Sequence, residues 1–254
     1  MSVCKDCFKG QRPPNFLPIA DELVCTFETI AGIKCYVGTP TVDYPRDKVV
    51  LYLTDAFGLP LVNNQLLVDD FARNGFKTIL PDYLNGDGVP LDVMTSGVPF
   101  DVPAWIGRHS ADVTRPVLDK VIDALKAEGV TSFAAVGYCF GGRYTFDLAF
   151  DGVIKAAAVA HPSLLKVPED IEKYASTSKA PLLINGCELD DQFTPSAQAT
   201  TDSLLEEFAP GYKREYFERV HHGFAVRGDM SDPKAKAGKE GAFKATVEWF
   251  HRYL

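Results

Sequence analysis

The chain has 254 residues, with 26 basic against 34 acidic side chains and a net charge of −8. That length suits one α/β domain burying its own core, and 46% apolar with 24% charged residues excludes a disordered, collagenous or coiled-coil chain. The acidic balance argues against nucleic-acid and anionic-membrane binding, and no apolar run approaches the roughly 20 residues that span a bilayer.

The first ten residues, MSVCKDCFKG, lack an apolar stretch, so no signal peptide is expected. The six cysteines, at 4, 7, 25, 35, 139 and 187, then read as reduced thiols of a cytoplasmic protein. Cys4 and Cys7 form a lone CxxC without a second ligand pair, which reads as two thiols on a tail rather than a zinc site. Residues 1–20 read as an N-terminal arm, and residues 21–254 as one domain.

Residues 26–40 have the pattern of a hairpin turning at Ala31-Gly32. Residues 47–55 (DKVVLYLTD) are nearly continuously apolar, as in a strand buried on both faces. A helix follows over 62–74, then a strand over 76–82. Residues 84–110, rich in Gly and Pro, read as a long loop of functional or lid character. Val113, Val117, Val121 and Leu125 recur every four residues and predict a helix over 111–128, with Pro116 near its start. Strands are expected at 131–137, 156–162, 180–186 and 213–220. Helices are expected from about 141, over 195–209 and at the C-terminus. This alternation calls for a mostly parallel sheet with helices on both faces.

The stretch VGYCFGGRY (136–144) carries the chemistry. It reads Gly-x-Cys-x-Gly-Gly and runs from a strand into a helix, which is the nucleophile-elbow pattern with Cys in place of Ser. The sharp turn makes strand and helix nearly touch two residues before and after the nucleophile, where Gly137 and Gly141 carry no side chain. Cys139 would stand at a helix N-terminus, where the dipole favours thiolate. The Phe140 amide would face a developing oxyanion. The plain alternative is a tight turn with Cys139 as apolar filler. A dinucleotide loop fits less well, because the spacing is not GxGxxG. An elbow needs an acid and then a histidine further along. Asp190 and Asp191 follow one predicted strand, and His221 and His222 follow the next.

These motifs together resemble the dienelactone hydrolase (carboxymethylenebutenolidase-like) family of the α/β-hydrolase fold, in its fungal form. GYCFGG is the most specific of them, and the likeness runs over residues 25–254. In DDQFTP the family's acid stands four residues before the proline, which selects Asp191, with Asp190 as runner-up. HGF selects His222. The resemblance of TDAFGLP (54–60) to the loop after the third strand implies that the Ala56 amide is the second oxyanion donor. Asp55 stands where bacterial members carry a glutamate implicated in managing the resting thiol. Arg227 is a one-residue-shifted match to an arginine that holds a substrate carboxylate.

The weaker candidates come from position. His161 is expected at a strand end, in a structural or pocket-lining role. Trp105 either roofs the substrate with His109 or anchors its loop. Tyr83 either lines the site or caps a strand. Arg143 is expected to pair with an acid rather than with substrate. The implied function is a cysteine-dependent ester or lactone hydrolase with a Cys139-His222-Asp191 triad. It would need no metal or organic cofactor and act on a small molecule as a monomer or homodimer. A thioesterase or acyltransferase, and a non-catalytic binding protein, are the alternatives.

Overall fold

The computed structural model describes residues 25–93 and 96–254. The expected N-terminal arm and the Cys4–Cys7 pair lie outside the described residues. Cys25–Ile30 (β1) and Ile33–Gly38 (β2) form the hairpin, with Ala31 and Gly32 both at positive φ (50° and 79°), as a two-residue turn of this hand requires. The rest alternates. In order come Lys48–Leu53 (β3), Val62–Arg73 (α1), Thr78–Pro81 (β4), Val102–Arg108 (α2), Ala111–Ala127 (α3), Ser132–Tyr138 (β5) and Phe140–Phe150 (α4). Then follow Ala156–Ala160 (β6), Glu169–Thr177 (α5), Leu182–Leu189 (β7), Pro195–Leu205 (α6), Tyr212–His221 (β8) and Pro233–Tyr253 (α7).

Among the described residues the eight strands form one sheet in the order β1-β2-β4-β3-β5-β6-β7-β8. From β4 to β8 every pairing is parallel, and only β1 and β2 run against their neighbours. The two faces divide the apolar residues by strand parity. Val49, Leu51 and Leu53 of β3 and Phe133 and Ala135 of β5 pack with α3, α4, α5 and α6. Val50, Tyr52, Ala134 and Val136 pack with α1 and α7 on the other face. A strand covered on both sides needs no polar alternation, which is why β3, β5, β6 and β7 read as apolar runs.

The chain steps outward from β3 to β4 and then crosses back to β5 on the far side of β3. This reversal opens a crevice at the C-terminal ends of β3 and β5, the position where open α/β sheets bind ligands.

Two expectations are corrected. The segment 84–110 is not all loop. Asp101 caps α2 by accepting from Ala104 N–H, and Trp105 anchors the helix to the core. The sequence reading also lacked α5, whose inward apolar face is no more than Ile171 and Tyr174.

Gly137 and Gly141 let α4 lie against the sheet. A Cβ at Gly141 would land on the Leu53 carbonyl, and one at Gly137 on Thr145 Oγ1 and the Gly141 carbonyl. Gly141→Ala is therefore expected to force β3 and α4 apart and to cost about 3 kcal/mol, roughly 10 °C in Tm. Thermal unfolding followed by circular dichroism checks this, and a Tm within 2 °C (about 0.5 kcal/mol) would contradict the close packing.

Candidate active site

The ends of β3, β5, β6, β7 and β8 meet at the crevice. Cys139 follows β5 as the N-cap of α4, with φ 50° and ψ −111°. A non-glycine residue held in so sparsely populated a region costs about 1–3 kcal/mol, which the surrounding packing must sustain. The strain lifts the half-buried thiol out at the helix N-terminus. Three backbone bonds fix it there: Cys139 N–H donates to Ala160 O (3.2 Å), and the Gly142 (3.0 Å) and Ser163 (2.9 Å) N–H groups donate to Cys139 O.

His222 stands just past β8. Its N–H donates to Leu189 O (3.1 Å), which seats it over the end of β7. Its Nδ1 lies 2.9 Å from Asp190 Oδ1. The same Oδ1 accepts from the Gln192 (2.8 Å) and Phe193 (3.0 Å) amides, and Oδ2 accepts from the Cys187 thiol (3.6 Å). With four donors trained on it, the buried Asp190 carboxyl is held below its usual range. Burial alone would raise it, but His222 and the two amides outweigh burial.

Asp191 is a correction. It is exposed, while its neighbour Asp190 is 4% exposed and reaches the imidazole. Asp190 stands five residues before Pro195, so counting back four stops one residue short of it. His222 rather than the exposed His221 faces inward, as the motif reading selected.

The thiol and the imidazole are polarised as a pair. Burial acts to raise the Cys139 pKa, but the His222 charge and hydrogen bonds from His222 and Ser163 draw it below 9.0. Burial acts to lower that of His222, but the facing thiolate and Asp190 push it up to about 10. The other thiols move oppositely: burial pushes Cys35 up to about 12 and Cys187 higher still.

Among the described residues neither Phe140 N–H, first in α4, nor Ala56 N–H, after β3, has an acceptor. The Ala56 loop is held from behind by Asp55. Oδ1 of Asp55 accepts from Phe57 N–H and Asn64 Nδ2, and Oδ2 accepts from Arg227 Nε, each at 3.2 Å.

Asp55 is 1% exposed and bound within the protein, so it offers no surface to a substrate. Arg227 is tied to Asp55 and lies 4.7 Å over the Phe57 ring, in space left open by Gly223, where a Cβ would meet its guanidinium. Tyr83 is buried, and its hydroxyl donates to Thr54 O (2.7 Å), so it braces the β3 end instead of lining the site. Trp105 is buried too. Its Nε1 donates to Asp87 O (2.7 Å), and its ring stacks on His109 and meets Phe140 edge-on, so it anchors rather than roofs.

His161 is fully buried, with ring contacts to Tyr138, His222 and Phe224 and no hydrogen-bond partner on either ring nitrogen. Burial, with the positive charges of His222 and Arg227, holds it neutral. It packs against the site histidine and has no surface to offer a substrate, the structural rather than the pocket-lining role. Arg143 pairs with Asp147 and Asp170, as expected. Sequence reasoning passed over Ser163 and Asn64. The only signal for Ser163 was its place in AHPS, just past a strand.

The fold and this constellation define an α/β hydrolase with a thiol at its elbow. The chain belongs to the dienelactone hydrolase family, whose model matches residues 33–254. It is 33% identical over 218 residues to Hydrolase pyvD of Aspergillus violaceofuscus, covering 84% of this chain and 86% of that one. It is 31% identical over 235 residues to Dienlactone hydrolase 1 of Gibberella moniliformis, covering 89% and 86%. The carboxymethylenebutenolidase homolog of Mus musculus is 29% identical over 229 residues, covering 89% of each. Among solved structures it resembles the dienelactone hydrolase-like promiscuous phosphotriesterase P91 from metagenomic libraries, with TM-score 0.65, 19% identity, and coverage of 91% and 99%. The dienelactone hydrolase of Anabaena variabilis gives TM-score 0.59, 16% identity, and coverage of 91% and 99%. At these identities the structures speak for the fold alone. The family and its named hydrolases make the chain an ester or lactone hydrolase. No helix among the described residues is long and apolar enough to cross a membrane.

Proposed function

We propose that the chain cleaves a small ester or lactone through a covalent acyl-thiol intermediate on Cys139. The observation that carries this reading is the continuous chain of contacts from Asp190 through His222 to a thiol of lowered pKa, beside two unpartnered amides. The Cys139 thiolate attacks the acyl carbon, and the carbonyl pair moves onto oxygen. The Phe140 and Ala56 amides receive that charge. As the tetrahedral intermediate collapses, His222 gives its Nε2 proton to the leaving oxygen. It then takes a proton from the water that hydrolyses the thioester, and the Cys139 thiolate leaves, restoring the ion pair. Asp190 fixes the Nδ1–H tautomer and balances the imidazolium charge. A lactone keeps its leaving oxygen within the acyl chain, so one molecule of hydroxy or keto acid departs.

The test is steady-state release of p-nitrophenolate from p-nitrophenyl acetate, followed by a panel of neutral and carboxylate-bearing enol lactones. Turnover far past one equivalent is expected on the acetate, and stoichiometric release alone would sink the reading. Adding an alcohol and analysing products separates hydrolysis from acyl transfer.

The pair also sets a pH profile. Activity needs Cys139 ionised and His222 protonated. It is therefore expected to rise with pH below 9, as the depressed thiol ionises, and to fall as His222 loses its proton near pH 10. A kcat/KM profile whose acid limb lies at or above pH 9 would contradict the ion pair.

A further inference from the structure

We propose that Ser163 is a further catalytic residue of this site, added to Cys139, His222 and Asp190, its hydroxyl bridging the Cys139 sulfur and the His222 ring. Resting on the mechanism above, this deepens it. Ser163 Oγ lies 3.3 Å from Cys139 Sγ and 3.4 Å from His222 Nε2, and the residue is 6% exposed. A serine hydroxyl donates once and accepts through its lone pairs. In the resting site it donates to the thiolate and accepts from the imidazolium Nε2–H, so both charges gain a partner at once.

The position is built. Ser163 N–H donates to the carbonyl of Cys139 itself, which locks the turn after β6 to the elbow. Gly142, the second glycine of the motif, admits that turn: a Cβ there would come within 2.7 Å of Pro162 Cβ and 3.0 Å of its Cα. Gly141 thus makes room for β3, and Gly142 makes room for Pro162-Ser163. Fully buried His161 fixes the other end of the turn, its N–H donating to Asn185 O (3.0 Å) and its ring resting against His222.

The role follows from the charges. When Cys139 attacks, an S–C bond forms and the negative charge leaves the sulfur for the carbonyl oxygen. The Ser163 proton stays on its own oxygen but loses its anionic acceptor. The Nε2 proton of His222 passes to the leaving oxygen as the C–O bond breaks. When water releases the acyl group, His222 takes up a proton, the thiolate leaves the acyl carbon, and the Ser163 bridge closes again. The hydroxyl therefore stabilises the resting ion pair and resets it after each cycle.

The test reads the thiolate directly. Alkylation of Cys139 by iodoacetamide is followed across pH by mass spectrometry of its peptide, in the unmodified protein, Ser163→Ala and Ser163→Thr. Losing a hydrogen bond to the charged form is expected to move the midpoint up by about one pH unit in Ser163→Ala, slowing alkylation on the acid limb about tenfold. Ser163→Thr, which keeps the hydroxyl, is expected to recover it. On p-nitrophenyl acetate, kcat/KM of Ser163→Ala is expected to fall about tenfold. Ser163→Gly makes the same deletion should the alanine variant not fold. An alkylation profile unmoved by loss of the hydroxyl overturns the proposal and leaves the Cys139 mechanism standing, provided Cys139→Ala is inactive. Turnover retained by Cys139→Ala overturns both.

Discussion

Cys139→Ala is expected to lose about 10³-fold or more of its steady-state esterase activity, because the elbow presents this thiol, ionised beside His222, as the nucleophile. The substitution removes little else. The side chain is half-buried, alanine keeps the Cβ, and the backbone bonds to Ala160 and from Ser163 are unaffected. Folding is therefore expected to survive, which separates loss of chemistry from loss of structure. Cys25, Cys35 and Cys187 are also thiols, but all three are buried, and Cys35 and Cys187 are held protonated by that burial. Counting product well past one equivalent per chain excludes their slow acylation. Activity equal to that of the unmodified protein would reduce the elbow to a structural turn.

The second large effect separates two adjacent carboxylates. Asp190→Asn is expected to lower kcat/KM on the order of 10²–10³-fold, while Asp191→Asn stays within about twofold. An amide at 190 offers a donor where His222 Nδ1–H needs an acceptor, so the ring loses either its tautomer or its orientation. It also removes the charge that supports the imidazolium and helps to hold the 190–193 loop through the Gln192 and Phe193 amides. A thermal unfolding scan shows whether loop loosening contributes. Asp191 is exposed and makes no contact with His222, so the neutral amide changes little there. Equal losses at both positions, or the larger loss at 191, would contradict the assignment.

The contrast at 190 and 191 marks how far the sequence could be read. The strand–helix alternation was legible because β3, β5, β6 and β7 are covered on both faces and so appear as unbroken apolar runs. The elbow was legible because its glycines answer to backbone contacts as close as that of Gly141 with Leu53. The choice between two neighbouring aspartates depends on how the chain turns once β7 ends at Leu189, which leaves no periodic trace. Helix α2 was masked by Pro103 and Gly107, although Pro103 sits in its first turn, where proline is tolerated. The loop positions of Tyr83 and Trp105 leave two roles open for each, and in the fold each finds a backbone carbonyl and turns inward. Asp55, read at a thiol-managing position, and Arg227, read as a match to a carboxylate-holding arginine, pair with each other across 172 residues of sequence. Ser163 carries no motif and gains its meaning only when β6 is laid beside β5.

The most direct measurement is to mix the protein with p-nitrophenyl acetate, quench in acid within the first turnovers, and map the added mass by peptide mass spectrometry. An acetyl group on Cys139, absent after the substrate is exhausted and absent in Cys139→Ala, is the predicted result. Turnover with no acyl group on Cys139, or with the group on another residue, would contradict the acyl-thiol mechanism.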